Sequence, residues 1–565
     1  MNVNPLFIQA AKLQRANKLQ EAIKIYYELL ACEPNHFDAI RYLGLAYAQL
    51  EDIPKAMDLF LRALALRPGD ASVHMNLANA YKKSNQLEPA IKHYQEALII
   101  EPHYAQAHNN LAGLYAMQGD YQLALRTYRA AVHADPAFTP AHFNLGLLLL
   151  KHHELEAAEK QFRNVLALDS TTISALFYLG VLKLEEDNLE EAEDFFKQVL
   201  SFDAEYVDAL VNLGVIALKQ KREQHAIDYF TQALALDECH LEARNNLAAT
   251  FIHYDRYENA LMYYDALLRE DPNNVEYLYN TGIAQMGLGH VNEATHLFES
   301  VLKLQYEHFG ALSNLAAIEM RLGHRDQACT LLRRALLAKP GDQTSQFMLQ
   351  ALMGNDKQAN SCPSYVNDLF NHYAMYYEHH MQDTLHYAVP QKLWELLHQL
   401  NCTKVNRALD LGCGTGLSGV ILKPFCDHLT GVDIAAKMLM IAREKKCYDE
   451  LIESELLAFL QNEQSHYDLM VAADVIPYLS DLGPVFQAIL PRLNPNGLFL
   501  FTTEICLDES WKLQETIRFC HHPDYIHQLC RKYGFTIVHQ EKMVARKQEN
   551  LDLEVMVYGV KFISS

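Results

Sequence analysis

A small residue recurs every 34 positions along most of this chain. Alanine holds one place in ten consecutive 34-residue segments, at Ala22, Ala56, Ala90, Ala124, Ala158, Ala192, Ala226, Ala260, Ala294 and Ala328. A constant period of this length predicts tetratricopeptide units, which are pairs of antiparallel helices that cannot bury their apolar faces alone. The hairpins must therefore stack, and we expect about ten of them.

A proline keeps the same spacing in six of the segments, at Pro34, Pro68, Pro102, Pro136, Pro272 and Pro340. Because proline cannot continue a helix, it predicts the end of one hairpin and the start of the next. The other four segments carry Ser170, Ala204, Glu238 and Tyr306 at that place. The proline stop signal is missing in those units.

Two sets of apolar positions agree with this register. One is a leucine followed by glycine or alanine, at Leu43, Leu77, Leu111, Leu145, Leu179, Leu213, Leu247 and Leu315. The other is an aromatic ring one helical turn after each alanine, at Tyr26, Phe60, Tyr94, Tyr128, Phe162, Phe196, Phe230, Tyr264 and Phe298. We expect the small residues to let the two helices approach and the rings to fill the remaining gaps as core.

One polar set has no packing explanation. It consists of the residue before the leucine, at Asn76, Asn110, Asn144, Asn212, Asn246, Asn280 and Asn314, and Tyr42 and Tyr178 interrupt it. Asparagine is a mediocre helix former, whereas its amide can pair with both the N–H and the C=O of an extended peptide.

The set resembles the inner surface of the tetratricopeptide region of O-linked N-acetylglucosamine transferase, whose asparagine ladder holds the main chains of substrate proteins. The resemblance implies a protein or peptide partner on the concave surface of the repeats. The alternative is that the amides only bridge neighbouring helices.

Charge and cysteine content exclude several classes of function. The 565 residues carry a formal charge of −22, and the region from Pro363 onward has 17 basic and 25 acidic residues, which gives −8 there and −14 for the repeats. Neither part has the basic stripe that nucleic-acid binding requires. Eleven scattered cysteines favour a reducing compartment, and we expect a cytoplasmic protein with no signal peptide and no membrane span. No feature decides an oligomeric state.

The repeat rhythm defines the expected domains. The tetratricopeptide array takes residues 1–342, a capping helix and a polar linker take residues 343–364, and a second domain takes residues 365–565. Within that domain, residues 365–400 read as a helical lid rich in Tyr and His, and residues 405–565 as an α/β core. The predicted fold class is therefore an α-solenoid followed by an α/β, Rossmann-like domain.

The most informative local string is ALDLGCGTGLSGVIL. A predicted strand runs into Gly412, Gly414 and Gly416 and then into a helix, which makes a ligand-binding crevice at the carboxyl end of the strand. The spacing is not that of dinucleotide binders, and no P-loop lysine follows. Asp433 ends the next predicted strand, about 20 residues past the loop, where a carboxylate can accept both hydroxyls of a ribose.

This region, from Ala408 to Glu504, resembles the class I S-adenosylmethionine-dependent methyltransferases. LDLGCGTG matches the first family motif, GVDIAAKML the second, YDLMVAADVIPYL the fourth strand and GLFLFTTE the fifth, and TIVHQEKMVA with EVMVYGVKFI matches the closing hairpin. The complete arrangement resembles predicted bacterial methyltransferases with tetratricopeptide repeats. The resemblance implies S-adenosyl-L-methionine as cofactor, held by Asp410, Gly412, Gly414, Gly416, Asp433, Ile434, Glu455 and Asp474.

The catalytic candidates come from the same resemblance and from the ends of predicted strands. They are Asp474, His521 and Tyr525, with His522 beside them, and the alternative for each is an ordinary cap, loop or surface residue. The pairs His379–His380 and Tyr376–Tyr377 read as lid surface and core. Cys520, His521, His522 and Cys530 match no zinc spacing, so we expect no metal.

Three functions remain open from the sequence. The first is a methyltransferase whose repeats recruit a protein or peptide partner or substrate. The second is a methyltransferase that acts on a small molecule, such as a metabolite or a carrier-linked acid, with repeats that localise it. The third is a repeat scaffold whose methyltransferase-like domain is catalytically silent.

Overall fold

The computed structural model describes residues 3–353, 360–402, 404–548 and 551–562. The chain divides into two compact units, Met1–Thr250 and Phe251–Ser565. The predicted fold class is confirmed, because a solenoid of helical hairpins precedes an α/β domain.

The first unit contains helical hairpins alone. Its helices are α1 Val3–Arg15, α2 Leu19–Cys32, α3 Phe37–Gln49, α4 Ile53–Leu66, α5 Ala71–Lys83, α6 Leu87–Ile100, α7 Ala105–Met117, α8 Tyr121–Ala134, α9 Thr139–Lys151, α10 Leu155–Leu168, α11 Ile173–Glu185, α12 Leu189–Phe202, α13 Val207–Lys219, α14 Glu223–Leu236 and α15 Leu241–His253. The boundary between the units falls within α15.

The predicted packing of rings on small residues is confirmed. The ring of Phe230 on α14 lies so close to Gly214 on α13 that a Cβ at this glycine would be 2.5 Å from the phenyl Cε1 atom. Gly146 and Gly180 meet Phe162 and Phe196 in the same way, at 2.8 Å. In the repeats with glycine, the phenyl ring is buried because it fills the space that the missing side chain leaves on the partner helix.

The helices end at the same place in repeats with and without proline. In three of the four segments without Pro, an aspartate one position earlier turns the chain: the N–H groups of Thr171, Glu205 and Cys239 donate to Asp169, Asp203 and Asp237 Oδ1 at 3.0, 3.1 and 3.0 Å. This is an Asx turn, in which a side chain replaces a backbone hydrogen bond. The same turn forms beside Pro136, where the Ala137 N–H donates to Asp135 Oδ1 at 3.0 Å, so aspartate can end the helix with or without proline.

The second unit begins with more hairpins of the same kind. They are α16 Tyr257–Glu270, α17 Val275–Gly287, α18 Val291–Leu304, α19 Phe309–Arg321 and α20 Arg325–Ala338, followed by a single helix, α21 Gln343–Met353.

An α/β domain follows in the same unit. Its helices are α22 Pro363–His379, α23 Val389–Gln399, α24 Leu417–Leu422, α25 Ala436–Glu444, α26 Leu456–Asn462, α27 Gly483–Ile489 and α28 Pro523–Tyr533, and a π-helical turn covers His380–Thr384. Its strands are β1 Val405–Leu411, β2 Cys426–Asp433, β3 Glu450–Glu453, β4 Tyr467–Ala472, β5 Leu493–Ile505, β6 Trp511–Leu513, β7 Phe519–His521, β8 Phe535–Gln548 and β9 Leu551–Phe562.

The strands form one sheet whose first five members run in the order β3-β2-β1-β4-β5, all parallel. Strand β9 pairs antiparallel with β5 and with β8. The short hairpin of β6 and β7 is added where β5 ends, through Glu504 and Ile505. Because β1 and β4 are neighbours and their connections leave in opposite directions, a crevice opens at the carboxyl ends of these strands.

The last repeats pack on the β6–β7 hairpin. One apolar cluster contains residues of α19, α20 and α21 together with Leu513, Ile517 and Phe519, and the Phe347 and Phe519 ring centroids are 6.1 Å apart. Helix α21 is therefore covered by the α/β domain. Part of the predicted linker, residues 355–359, lies outside the described residues. The domain boundaries stay a prediction.

In the described ranges, no helix is both long and apolar enough to span a membrane.

The ring-on-glycine contacts make a stability prediction. We expect Gly214→Ala to destabilise the first unit by roughly 1–3 kcal/mol, because the added methyl group collides with the Phe230 ring. Gly113→Ala is the matched control, since a Cβ there would lie 3.5 Å from the Tyr128 hydroxyl. Urea unfolding followed by circular dichroism measures both, and equal destabilisation by the two variants would contradict the packing argument.

Candidate functional site

The glycine turn between β1 and α24 forms the base of the site. Gly412 and Gly414 have positive φ angles of 67° and 53°, which favour glycine. The N–H groups of Gly412 and Cys413 donate to the carbonyl oxygen of Val432, at 2.8 and 3.0 Å, so the turn is fixed to the end of β2. A Cβ at Gly414 would meet nothing within 4 Å, and this face of the turn is open to a ligand.

Asp433 ends β2 beside this turn and is 9% exposed. Its Oδ2 accepts the Gly414 N–H at 2.8 Å, and its Oδ1 accepts the Ala435 N–H at 2.9 Å. Burial raises the pKa of this carboxyl group, and the backbone N–H groups oppose that rise. The two bonds fix the carboxylate orientation and leave lone pairs of both oxygens for a ligand.

Asp410 lies under the turn, fully buried at the end of β1. The Tyr448 hydroxyl donates to its Oδ2 at 2.7 Å, whereas Oδ1 is buried without a hydrogen bond to any described residue. The pKa of Asp410 is raised to about 7, chiefly by burial and to a smaller extent by the nearby Asp433 charge, while the Tyr448 hydrogen bond opposes the rise.

These elements surround a cleft of about 790 Å³, its open mouth included, which we name the glycine-turn cleft. Six of the eight residues predicted to hold the cofactor line it: Gly412, Gly414, Asp433, Ile434, Glu455 and Asp474. Asp410 and Gly416 lie outside this lining. Helix α22 contributes Phe370 and Tyr377 to its wall, and Glu455 caps α26 by accepting the Ala458 N–H at 2.7 Å.

The residues present fit S-adenosylmethionine, the cofactor that the resemblance implies. The oriented carboxylate of Asp433 suits a ribose diol. The absence of a side chain at Gly414 lets a ligand approach the backbone of the turn. Asp410 Oδ1 has no hydrogen-bond partner among the described residues, but Asp410 is fully buried and does not line the cleft.

Asp474, which follows β4, is held in a buried ionic network. It has a positive φ of 55°, and its N–H donates to Thr502 Oγ1 at 2.9 Å. Its Oδ1 pairs with Arg518 and its Oδ2 with Arg546. Burial would raise the pKa of this carboxyl group, but the two guanidinium groups outweigh burial and hold it below its usual value.

Arg518 extends the network because each of its three nitrogens is engaged. Its Nε pairs with Glu504 at the end of β5, and its Nη1 donates to the Tyr478 hydroxyl at 2.8 Å. Asp474 accepts from its Nη2. Both oxygens of Asp474 are thus ion-paired. Asp474 is therefore better placed to hold the wall of the cleft in position than to accept a proton from a substrate.

A second and larger space, of about 1560 Å³ with its open mouth, adjoins the cleft, and we name it the tyrosine cavity. Its walls include Tyr365, Tyr373, Tyr377, Tyr478, His380, Arg518 and Arg546 from the α/β domain and Met320 and Arg321 from the end of α19. It shares Phe370, Tyr377, Asp474 and Tyr478 with the glycine-turn cleft. A ligand in one space therefore lies next to a ligand in the other.

His521 and Tyr525, two of the catalytic candidates, line neither space. His521 Nε2 lies 2.9 Å from the Ser480 carbonyl oxygen, and burial lowers the pKa of this histidine to about 4. The Tyr525 hydroxyl donates to Asp481 Oδ1 at 2.6 Å and accepts the Leu482 N–H. These bonds fix the loop after β4. The positions of His521 and Tyr525 therefore indicate a structural role and give no support to a catalytic one.

His522 and the cysteines near it have ordinary roles. His522 is the N-cap of α28, where its Nδ1 accepts the Asp524 N–H at 3.0 Å. Over the part of the chain that the structure describes, no group of three or more His, Cys, Asp or Glu side chains is arranged to hold a metal ion.

The seven ladder asparagines are all half-buried. Four of them donate an amide N–H to another helix: Asn110 to Asn79 Oδ1 at 3.0 Å, Asn144 to Asn109 Oδ1 at 2.9 Å, Asn280 to the Tyr264 hydroxyl at 2.9 Å and Asn314 to the Tyr279 hydroxyl at 3.4 Å. Such bonds are those expected of amides that bridge neighbouring helices. Asn212 instead donates to the Asp208 carbonyl oxygen of its own helix at 2.8 Å. Peptide binding by this set stays a prediction.

Sequence reasoning missed several residues at or near the two spaces. Tyr448 lines neither space and has no motif, yet its ring packs on α24, where a Cβ at Gly419 would meet its Cζ at 2.2 Å, and its hydroxyl donates to Asp410. Arg321 and Arg546 come from parts of the chain that no cofactor motif includes. Tyr377, interpreted as lid core, lines both spaces, and only its place in a Tyr-rich helix pointed to it.

Asp410 makes a prediction about stability and pH. Its pKa in the folded protein, about 7, lies above 3.8, so the folded protein keeps a proton that the unfolded chain loses between these values. The stability that this group contributes is complete below pH 4 and is lost as the pH rises to about 7. We expect Asp410→Asn to raise the free energy of unfolding at pH 8 by roughly 1–3 kcal/mol and to leave it nearly unchanged at pH 4.

Urea unfolding at both pH values measures this difference. Asp427→Asn is the control, because Asp427 is an exposed residue of the same region of the sheet. A gain for Asp410→Asn that does not depend on pH would contradict the assignment of the proton to Asp410.

Comparison with known proteins agrees with these two parts. A methyltransferase-domain family model matches residues 377–540, and tetratricopeptide-repeat models match residues 44–85, 75–137, 143–206, 207–238, 225–275 and 279–343. A solved structure, that of the Pseudomonas aeruginosa protein pilF, is similar with 23% identity and a TM-score of 0.34, over 37% of this chain and 95% of that one.

Two curated relatives are similar to the C-terminal part. The ubiquinone biosynthesis O-methyltransferase of Hydrogenovibrio crunogenus is 28% identical over 26% of this chain and 63% of its own length. The trans-aconitate 2-methyltransferase of Rhizobium leguminosarum is 32% identical over 18% of this chain and 41% of its own length. The chain thus spans less than two thirds of either relative. It is a tetratricopeptide-repeat protein that carries a methyltransferase domain.

Proposed function

We propose that this protein is an S-adenosylmethionine-dependent methyltransferase whose repeats recruit a protein or peptide partner or substrate. The observation that carries the proposal is the Asp433 carboxylate, held by two backbone N–H groups beside an open glycine turn. A second space that shares four residues with the glycine-turn cleft supports it, because methyl transfer requires an acceptor next to the donor.

The chemistry asks little of the protein beyond alignment. The bound cofactor would supply a methyl group that its own positive sulfur activates. Asp433 would hold the ribose, Ile434 would pack on the adenine, and Asp410 would orient the methionine part. Tyr377 and Tyr478, which line both spaces, would flank the place where the donor methyl group meets the acceptor.

A proton must leave when the acceptor is a hydroxyl or an amine. His380 lines the tyrosine cavity, and burial followed by the charges of Arg321 and Arg546 lowers its pKa, so it is neutral near pH 7. A neutral imidazole can accept a proton, whereas Asp474 is occupied by its two arginines. We propose His380 as the base for such acceptors, in place of His521 and Tyr525.

The repeats supply the second part of the proposal. Their half-buried asparagines would meet an extended segment of a partner protein, and the negative charge of the chain would favour a basic one. We place this activity in the cytoplasm, on the evidence of the scattered cysteines.

A second candidate function is methylation of a small molecule, with repeats that localise the enzyme. The tyrosine cavity favours it, because aromatic walls and a few polar groups are typical of small-molecule sites. Both relatives are named for small molecules, ubiquinone and trans-aconitate. The third candidate, a silent domain on a scaffold, has no comparable support, because the glycine turn and Asp433 are intact.

Asp433→Asn tests the donor site. We expect it to weaken the binding of S-adenosylhomocysteine at least tenfold, because an amide keeps only one acceptor oxygen for the diol and the turn. Titration calorimetry measures the affinity, and Asp427→Asn on the same strand is the matched control. Equal affinity in a folded Asp433→Asn protein would refute the ribose assignment.

The class of acceptor can be decided with the full-length protein, labelled S-adenosylmethionine and lysate. A protein substrate predicts label on protein that the double variant Asn110→Ala, Asn144→Ala reduces several-fold, while S-adenosylhomocysteine binding is kept. Label confined to small molecules would favour the second candidate, and no label with intact cofactor binding would favour the third.

A further inference from the structure

The wall of the tyrosine cavity includes two residues of the repeat array. Met320 and Arg321 end α19, and they line the same space as Tyr373, His380 and Arg546 of the α/β domain. All of these residues belong to one compact unit. The last repeat therefore forms part of the space in which an acceptor would lie.

The charges around this cavity do not cancel. Arg518 and Arg546 are balanced by Asp474 and Glu504, with which they form the buried network. Glu515, another wall residue, pairs with Arg325 at 2.6 Å. Arg321 makes no ion pair within the described ranges of the chain, so one positive charge remains over.

Two guanidinium groups act on the same spot of the wall. The positive charges of Arg321 and Arg546 both lower the pKa values of Tyr373 and His380, although burial has the larger effect on each group. Arg546 uses Nη1 for Asp474, and its other N–H groups have no hydrogen bond to the residues described. N–H donors of two arginines are thus available beside the pair formed by the Tyr373 hydroxyl and His380 Nδ1.

The rest of the cavity suits an apolar or aromatic body. Tyr365, Phe370 and Tyr377 present rings, and Met381 and Ile517 present aliphatic or thioether surface. Aromatic walls and one surplus positive charge match a ligand with a ring and a single negative charge. A phosphate ester, which carries nearly two negative charges at pH 7, matches the surplus less well.

We propose that the acceptor is a small organic acid with an aromatic or apolar body, and that Arg321 of the last repeat binds its carboxylate together with Arg546. This proposal rests on the proposed methyl transfer and names the substrate class of the same site. It makes Arg321 a specificity-determining residue that the repeats supply to the enzyme. In this proposal the carboxylate only anchors the acceptor. The atom that receives the methyl group belongs to another part of the same molecule.

Titration calorimetry of the full-length protein saturated with S-adenosylhomocysteine tests the proposal. The probes are 4-hydroxybenzoate, its neutral amide 4-hydroxybenzamide, and phenyl phosphate. We expect 4-hydroxybenzoate to bind at least tenfold more tightly than the other two. Arg321→Gln should weaken its binding about tenfold, Arg321→Lys should restore part of the loss, and the amide should bind all of these proteins equally.

Arg333→Gln is the matched control, because Arg333 is an exposed arginine of α20 that lines neither space. It removes the same charge and should leave binding of all three probes unchanged. An effect of Arg333→Gln as large as that of Arg321→Gln would overturn the proposal, because a general change of charge would then explain both.

The remaining outcomes are separable from the proposed function. Equal binding of acid and amide, tighter binding of phenyl phosphate, or no binding of any probe to protein that binds S-adenosylhomocysteine would overturn the acid proposal alone. Failure of S-adenosylhomocysteine to bind would overturn the proposed methyl transfer instead.

Discussion

The second unit depends on how the open end of a stack of hairpins is covered. Each hairpin has an apolar face that only a neighbour can bury, so the last one needs a cap. Here α21 fills part of that need, and the β6–β7 hairpin of the α/β domain completes it through Ile517 and Phe519. Burial of such rings and branched side chains stabilises by about 1.5–3 kcal/mol each, so separation of the two parts would expose a costly surface. For this reason the end of α19 has a fixed place beside the methyltransferase site.

The buried ionic network has a different role from the apolar cluster. Removing four charges from water is expensive, and an ion pair replaces only part of the lost hydration. The network between Asp474, Glu504, Arg518 and Arg546 is compensated because each charge faces an opposite one in close contact. It ties the ends of β4 and β5 to β8, which lie far apart in the sequence. The network fixes the positions of Asp474 and Tyr478, which line both spaces.

Much of the fold follows from the sequence because it depends on local patterns. The 34-residue period, the rings opposite glycine and the order of strand and glycine turn are repeated or contiguous signals, and Asp433 lies at a fixed distance from the turn. Tyr448 and Arg546 carry no such signal, since they reach Asp410 and Asp474 only through the tertiary fold. A family-like string predicts substrate contact for His521, but the fold buries its ring against a backbone carbonyl outside both spaces, so the structure gives this prediction no support.

A chain with a formal charge of −22 would be expected to repel an organic acid. Most of these charges, however, lie too far from the tyrosine cavity to act on a ligand there. At physiological ionic strength the Debye length is about 8 Å, so charges spread over the exposed faces of the helices are largely screened from a ligand in the tyrosine cavity. Charges within the cavity are screened far less. Under the proposal, the local surplus at Arg321 would decide which ligand is held, while the net charge would act on partners that approach from outside. One protein can in this way attract a basic partner to its repeats and hold an acid at its catalytic domain.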